Sequence, residues 1–332
     1  MAQSSADSSS CWRCRLRRIV APAASPTAPA AISACFFRFR LGWERRIFIC
    51  ISTVLSRSLT VRSLDHIRAC ETWGMAGRIV WITVAPVKGM ALERREAVEL
   101  EPFGILENRR FYVIGAGGRL LNGKQLGELQ QIAVRWDEAG SRLEFHFPDG
   151  TVAEGSIELG DAVTTNFFGR EVGGRLVVGP WSGALTSFVG RELRLAQCIE
   201  AGAGVDRGRA AVSILSTGSL EAMREAAGIS EPIDPRRFRM LFGVDGVGPH
   251  EEDVWIGRNV RLGGAVVAVR GNTGRCIVTS RHPETGVRNL PTLDVLAEYR
   301  DGVETTEPLP FGVWAEVVEP GLVALGDSVE PA

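Results

Sequence analysis

The hydrophobic pattern of this chain becomes regular near residue 75. From Arg78 onward, short apolar or alternating segments follow one another, separated by turns rich in glycine and proline. Such segments are typical of β-strands, and many strands at short spacing predict a small barrel or sandwich. The pattern loosens around Gly169–Gly179, where no strand is predicted. The predicted strands are Ile79–Val84, Ala97–Leu100, Phe111–Ile114, Ile132–Trp136, Leu143–Phe147, Thr151–Ile157, Arg194–Cys198, Val212–Leu215, Phe238–Val244, Val260–Val269, Phe311–Val318 and Leu322–Leu325.

Three segments have helical periodicity instead. The first, Trp181–Val189, predicts a helix that leads into a second domain. The second begins at Ser216-Thr217, and Gly228 is its stop signal. The third, Pro291–Arg300, has proline in its first turn, where proline is favoured. The predicted fold class is therefore α+β, mainly β with a few helices.

Composition adds a size and a charge distribution to this picture. A chain of 332 residues, 45% hydrophobic and 23% charged, can bury a substantial core and predicts two domains. Its net charge of −1 hides an asymmetry, because residues 1–74 contain 11 arginines, no lysine and four acidic residues and so carry +7. The chain from residue 75 onward therefore carries −8. An acidic main body argues against general nucleic-acid binding.

The cysteines are concentrated in the first 74 residues. Five of the seven lie there, which leaves Cys198 and Cys276 in the patterned part of the chain. Two cysteines make no disulfide framework and suit a reducing compartment, so we predict a cytoplasmic protein. The longest apolar run, Ile47 to Leu55, is far shorter than the ~20 residues that a membrane-spanning helix needs. We therefore predict no membrane span.

Residues 1–74 have the composition of a non-globular leader. They are serine-rich, then rich in alanine and proline around residues 21–30, then rich in arginine. One interpretation is a targeting segment, which is commonly arginine- and serine-rich and poor in acidic residues. The other is a non-native extension from an upstream start codon, with the native protein beginning at Met75. In both cases we expect a disordered segment, and a chain starting at Met75 should be as soluble and as thermally stable as the full chain.

One cysteine has neighbours that favour a metal-binding thiolate. Cys276 directly follows Arg275, between the loop Gly271–Gly274 and an apolar, β-branched run. A thiolate is a soft ligand for molybdenum, copper, zinc or iron, and a neighbouring guanidinium favours the thiolate over the thiol. The alternative is a small core residue that opens a strand.

Basic residues and a helix start provide candidate anion-binding groups elsewhere in the chain. The side chains that could neutralise a phosphate are those of Lys88, Arg109, Arg239 and Arg275. Ser216 and Thr217 stand where a helix begins, and its free N–H groups favour an anion. Each has an ordinary interpretation as well: a solvated turn residue, an ion-pair partner or a plain N-cap.

The order of these residues resembles the MOSC family, the molybdenum-cofactor sulfurase C-terminal domain preceded by its N-terminal β-barrel domain. The resemblance runs from about Arg78 to Val329 and implies a small N-terminal β-barrel domain over residues 75–178 and a β-barrel-like MOSC domain over 179–331. Within the family, the chain looks most like the mitochondrial amidoxime-reducing components and their bacterial relatives. The motifs that carry it are Pro86-Val87-Lys88, Gly104-Ile105-Leu106-Glu107-Asn108-Arg109, Ser216-Thr217-Gly218-Ser219-Leu220, Arg237-Phe238-Arg239, Glu252-Asp253-Val254-Trp255, Arg275-Cys276 and Gly326-Asp327.

The resemblance implies a role for each candidate residue. Cys276 would bind molybdenum directly, as the cysteine of the Arg-Cys motif does in that branch. The residues implied to surround the molybdopterin and its phosphate are Lys88, Arg109, Ser216, Thr217, Arg239 and Arg275.

Three positions depart from the family pattern. Gly89 stands where the family usually has serine, and Asn108 where it usually has aspartate. Met240-Leu241 replaces the usual Pro-Asn after Arg239, which removes an amide that helps to hold the cofactor.

The activity implied by the resemblance is reduction of N-hydroxylated or N-oxide compounds by a molybdenum-cofactor oxidoreductase. Its substrate would be a small molecule, and because no ferredoxin-like cysteine set follows the MOSC motifs, its electrons would come from a separate donor protein, a reductase or a protein of ferredoxin or cytochrome type. A second hypothesis is a non-redox carrier of molybdenum cofactor or activated sulfur. A third, a cysteine nucleophile activated by His250 or His282, lacks a recognised pairing in the sequence.

Overall fold

The computed structural model describes residues 77–332 apart from 138, 140, 168 and 200–211. In these residues the chain forms 18 β-strands and three α-helices. The strands are β1 (Gly77–Val84), β2 (Glu93–Arg95), β3 (Ala97–Leu100), β4 (Phe111–Gly115), β5 (Leu120–Leu121), β6 (Ala133–Asp137), β7 (Arg142–His146), β8 (Val152–Ser156), β9 (Glu158–Phe167), β10 (Arg170–Val178), β11 (Leu193–Cys198), β12 (Val212–Ser216), β13 (Phe242–Asp245), β14 (Asn259–Leu262), β15 (Ala265–Gly274), β16 (Pro310–Glu319), β17 (Gly321–Ala324) and β18 (Ser328–Pro331). The helices are α1 (Trp181–Val189), α2 (Thr217–Ala226) and α3 (Thr292–Tyr299). The leader predicted for residues 1–74 lies outside the described residues.

Seven strands close into a barrel. They follow the order β13-β12-β16-β15-β14-β18-β1, and the antiparallel pairing of β1 with β13 closes the ring. Closure leaves no unpaired edge within the ring, which removes a common site of aggregation. Apolar side chains fill the interior, among them Ile79, Ile82, Val260 and Val313, each no more than 1% exposed. The alternating and apolar runs in the sequence therefore become the inward-facing positions of a closed sheet.

A second group of strands packs around its own core. One sheet has the order β5-β4-β11-β10-β9, and a smaller one has the order β6-β7-β8. Trp181 and Leu185 of α1 are fully buried against this group, together with Phe111 and Phe145. The predicted mainly β, α+β fold, with a β-barrel, is confirmed.

Strands from both sides of residue 178 share these sheets. Strand β1 comes from the N-terminal part of the chain but completes the barrel, whereas β11 comes after α1 but pairs with β4. The predicted division into residues 75–178 and 179–331 stays a prediction.

The structure has a strand in the segment Gly169–Gly179, where the sequence pattern predicts none, so that prediction is wrong. Most of this segment is β10, which pairs with β9 in an antiparallel hairpin. Its glycines mark close packing rather than a loop: a Cβ atom on Gly174 would lie 2.3 Å from the hydroxyl of Tyr112. Glycine inside a strand often marks such an approach.

Two other predicted strands are wrong in their bounds. In the segment Phe238–Val244, a 3-10 helix (Pro235–Phe238) is followed by Arg239 in a left-handed conformation and only then by β13. The segment Val260–Val269 is a hairpin of β14 and β15, because Gly263, at φ +54°, turns the chain between them.

The helices are as predicted to within a residue or two. Of the helices in the described ranges, none is long and apolar enough to cross a bilayer, and the longest, α2, has ten residues.

Candidate functional site

A cavity of about 820 Å³ lies where the loop after β1, the loop between β3 and β4 and the loop after β5 meet the barrel. Its volume is in the range of small-molecule sites. Of the described residues that line it, seven carry positive side chains, whereas one, Glu307, carries a carboxylate. That carboxylate accepts a hydrogen bond from the backbone N–H of Gly274, at 3.0 Å. The cations are Lys88, Arg109, Lys124, Arg170, Arg237, Arg239 and Arg275. This concentration of positive charge stands in a chain body that is acidic overall.

Lys88 lies among these cations. Its backbone N–H donates to the carbonyl of Phe111, which anchors the Pro-Val-Lys turn to β4. Its ammonium lies 4.7 Å from the ring centroid of Phe167, a cation–π contact. Burial lowers its pKa well below the ordinary value, and Arg109 and Arg239 lower it further, while Cys276 acts in the opposite direction. Burial and two neighbouring guanidinium groups therefore both disfavour the charged form of Lys88.

Arg109 is hydrogen-bonded to the backbone of Arg239. Both have left-handed backbone conformations, with φ of 58° and 54°. Nη2 of Arg109 donates to the carbonyl of Arg239 at 3.1 Å, and Nη2 of Arg239 donates to the carbonyl of Met90 at 2.6 Å. Burial lowers the pKa of Arg239 to about 10. A left-handed conformation is costly for a residue with a side chain, and such residues concentrate at functional sites.

Cys276 lies on the cavity wall as a free, half-buried thiol. Cys276 does not open a strand, as the core-residue alternative supposed, but caps a 3-10 helix, Ile277–Ser280. The carbonyl of Cys276 accepts hydrogen bonds from the backbone N–H and the hydroxyl of Thr279, at 3.0 and 2.9 Å, and these bonds close the turn. Local i to i+3 bonds thus override the strand preference of the β-branched residues.

The guanidinium of Arg275 donates hydrogen bonds to other groups of the protein. Its Nε donates to the carbonyl of Phe311 at 2.8 Å and Nη1 to the carbonyl of Phe238 at 3.1 Å. Nη2 contacts the sulfur of Met240 at 3.0 Å and also the carbonyl of Phe311. These bonds tie the residue before Cys276 to two neighbouring segments, so Arg275 positions the cysteine loop.

Ser216 and Thr217 do not line the cavity. Ser216 is fully buried, and its hydroxyl accepts the backbone N–H of Ser219 at 3.0 Å as an ordinary N-cap. Glu252, also fully buried, accepts from the backbone N–H of Ser216 at 3.2 Å and from the hydroxyl of Ser219 at 2.7 Å. The hydroxyl of Thr217 donates to Asp245. The start of α2 is thus satisfied by the protein's own carboxylates, and the geometry gives no support to a cofactor contact there.

Two of the departures from the family pattern have structural reasons. Gly89 has φ +90°, and a Cβ atom there would lie 3.1 Å from the backbone nitrogen of Gly123. Leu241 is buried in the barrel core, and its backbone N–H donates to Ser213 at 3.0 Å. Met240 is 2% exposed and contacts Arg275 through its sulfur.

Three cations of the cavity were not predicted from the sequence, namely Lys124, Arg170 and Arg237. Lys124 lies in a turn and Arg170 begins a strand that was not predicted, so neither had a pattern to indicate a site. Arg237 belongs to the same short motif as Arg239, and that proximity was the signal that could have found it.

Comparison with known proteins gives two family matches. The model described as "MOSC N-terminal beta barrel domain" matches residues 76–178, and the model described as "MOSC domain" matches residues 185–330. The mitochondrial amidoxime-reducing component 1 of Xenopus laevis is 31% identical over 126 residues, which are 36% of this chain and 35% of that protein. The match thus spans about a third of the relative's length.

Solved structures with lower similarity include two bacterial proteins. The YUAD protein from Bacillus subtilis is 13% identical, with a TM-score of 0.38, over 77% of this chain and 95% of its own. YiiM from Geobacillus stearothermophilus is 15% identical, with a TM-score of 0.29, over 52% of this chain and 72% of its own.

Proposed function

Because this chain belongs to the MOSC family and carries both the N-terminal β-barrel and the MOSC domain, we propose that its cationic cavity binds a molybdenum cofactor and that the protein reduces N-hydroxylated or N-oxide compounds. The observation that supports the proposal most is the placement of one free thiol, Cys276, in a cavity with seven cations and one carboxylate among its described lining residues. The partial similarity to an amidoxime-reducing component supports the choice of substrate class.

The donor set of the cavity fits this cofactor. A phosphorylated pterin with two sulfur donors is an anion, and the described lining of the cavity has seven cationic side chains against one carboxylate. The part of the chain that the structure describes contains no cluster of three or more His, Cys, Asp or Glu residues that could hold a metal by itself. A metal here would take one protein ligand, Cys276, and its remaining ligands from the cofactor's own sulfurs, which are soft donors of the same kind.

The chain's residues have distinct parts in this proposal. Cys276 ligates the metal, and Lys88, Arg109 and Arg239 neutralise the anionic cofactor. Arg275 positions the cysteine through its bonds to the carbonyls of neighbouring segments. When bound, the cofactor supplies two-electron oxygen-atom chemistry, while the protein provides ligation, orientation and charge.

The proposal requires a separate electron donor. The cysteines in the part of the chain that the structure describes are the buried Cys198 and the half-buried Cys276. We propose that a reductase, or a ferredoxin- or cytochrome-type protein, supplies two electrons per turnover. The cytoplasmic location predicted from cysteine usage stays a prediction.

Metal content and turnover test the proposal together. The full chain, expressed in a host that makes molybdenum cofactor, should contain molybdenum and reduce benzamidoxime with reduced viologen as electron donor. Cys276→Ser replaces a soft anionic ligand with a neutral hydroxyl, and activity should fall by orders of magnitude. Cys198→Ser is the matched control and should keep its activity, with a stability loss of about 1 kcal/mol. Wild-type activity in Cys276→Ser with molybdenum still bound would refute the ligand role.

A non-redox carrier is the second candidate function. It is favoured by Met240 and Leu241, which place buried apolar side chains where the family usually has a polar amide. Fewer polar contacts would let the cofactor exchange more readily. A carrier would lose cofactor during gel filtration and restore activity to a molybdenum-free acceptor enzyme, yet it would not reduce benzamidoxime. Retention of cofactor with turnover would exclude the carrier.

A further inference from the structure

A second cavity, of about 590 Å³, shares one lining residue with the first. Its wall consists of residues 228–234, which follow α2, together with Arg237, His282, Asn289 and Leu290. Its volume is also in the range of small-molecule sites. The shared residue is Arg237, so this side chain contributes to the walls of both cavities.

Arg237 is a buried cation without an acidic partner. It is 8% exposed, and its Nη1 donates to the carbonyl of Arg281 at 2.8 Å. Among the described residues, nothing accepts a hydrogen bond from its Nε or Nη2. The nearby carboxylate of Asp234 is committed to Arg236, which donates to it from its backbone N–H at 2.9 Å and from Nη2 at 2.6 Å. Burial of Arg237 lowers its pKa, and Asp234 offsets this only in part.

Three other polar side chains line the second cavity with Arg237. Nδ1 of His282 accepts the backbone N–H of Glu284 at 3.2 Å, so the neutral ring carries its proton on Nε2. Asn289 adds an exposed amide. Glu231, which is also exposed, is the one carboxylate at the described wall that is not committed to Arg236.

We propose that the second cavity is an oxyanion site that takes a small carboxylate or phosphate through Nε and Nη2 of Arg237, with His282 as a further donor. A buried, unpaired cation is costly, and an anion that forms two parallel bonds to the guanidinium would offset that cost. Arg is suited to such recognition because its donors form a rigid planar fork. The site does not include Cys276 and does not depend on the cofactor chemistry proposed above.

The imidazole of His282 provides a local reporter for the test. Inorganic phosphate, and acetate in a separate series, would be titrated into the full chain at constant ionic strength while the ring signals of His282 are followed by NMR. We expect a saturable shift, and Arg237→Gln should weaken binding at least about tenfold, equal to about 1.4 kcal/mol. Lys88→Gln removes charge from the first cavity and should leave the His282 titration unchanged. Saturation by either anion supports the site and identifies its ligand class.

Variants at the exposed residues Asn289 and Glu231 test the proposal even if Arg237→Gln does not fold. Asn289→Asp adds a negative charge at the mouth and should weaken binding several-fold without affecting the fold. The proposal is overturned if the His282 signals do not saturate, or if affinity is unchanged in Asn289→Asp. Binding seen only in Glu231→Gln would also overturn it, because Glu231 would then be the partner of Arg237 in the native protein.

Discussion

Restoring the family's serine at Gly89 should destabilise this protein. The residue has φ +90°, a conformation that residues with a side chain rarely adopt. A Cβ atom would lie 3.1 Å from the nitrogen of Gly123 and 3.3 Å from Cα of Asn122, and both are backbone atoms that cannot rotate away. Backbone strain of this kind costs about 1–3 kcal/mol. Because one kcal/mol shifts the melting temperature of a chain of this size by about 2–4 °C, the expected fall is on the order of 2–12 °C.

Gly117→Ser is the matched control for Gly89→Ser. Gly117 also lies in a turn, but it is exposed, its φ is not in the left-handed region and a Cβ there would meet nothing within 4 Å. Its change in stability should stay within about 0.5 kcal/mol. Thermal melts of the cofactor-free proteins, followed by circular dichroism, measure both variants. Equal melting temperatures for Gly89→Ser and wild type would show that the loop relaxes, and the packing argument would fail. We also expect no gain in bound molybdenum, since the strained loop carries Lys88.

Further predictions concern the cavity and the β9–β10 hairpin. Arg275→Lys loses the guanidinium bonds to the carbonyls of Phe238 and Phe311, so unfolding in urea should show a loss of about 1–3 kcal/mol, together with lower molybdenum content. The pKa of Lys88 is lowered in the folded state, so between that lowered pKa and 10.5 the unfolded chain binds more protons than the folded chain. The free energy of unfolding of the cofactor-free protein should therefore increase as the pH rises through this window. In Lys88→Met the free energy of unfolding should depend less on pH, and an unchanged slope would contradict the assignment of this effect to Lys88. Gly174→Ala should cost about 1–3 kcal/mol in a urea melt, because its Cβ would lie 2.3 Å from the hydroxyl of Tyr112.

The sequence by itself determined the elements whose burial is periodic. In β7, Leu143 and Phe145 are fully buried and alternate with exposed or half-buried polar residues, as the apolar pattern of that run predicts. Helix α2 ends near Gly228 because its apolar face stops there and the glycine adopts a left-handed conformation. These features depend on neighbours within one or two turns of chain, and local periodicity records them directly. The candidate site residues came instead from the resemblance, which supplied their order but not their geometry.

Tertiary structure decided which of the candidate residues meet. The loop after β1 and the loop between β3 and β4 bring Lys88 and Arg109 to the barrel strand that ends near Cys276, and no spacing in the sequence encodes that meeting. The same folding separates Ser216 from the cavity, because the start of α2 faces the buried carboxylate of Glu252. Helix starts favour an anion, but only the fold determines which anion reaches them.

The glycines of β10 illustrate the same limit. In sequence, Gly173-Gly174 is indistinguishable from a turn, whereas in the structure Tyr112 of a distant strand occupies the space that a side chain would take. In the sequence Arg237 is one more basic residue beside Arg239, whereas the structure shows that it is buried and lines two cavities. Contacts between residues far apart in the chain depend on how the sheets close, so the sequence predicts the strands but the packing of those strands creates the site.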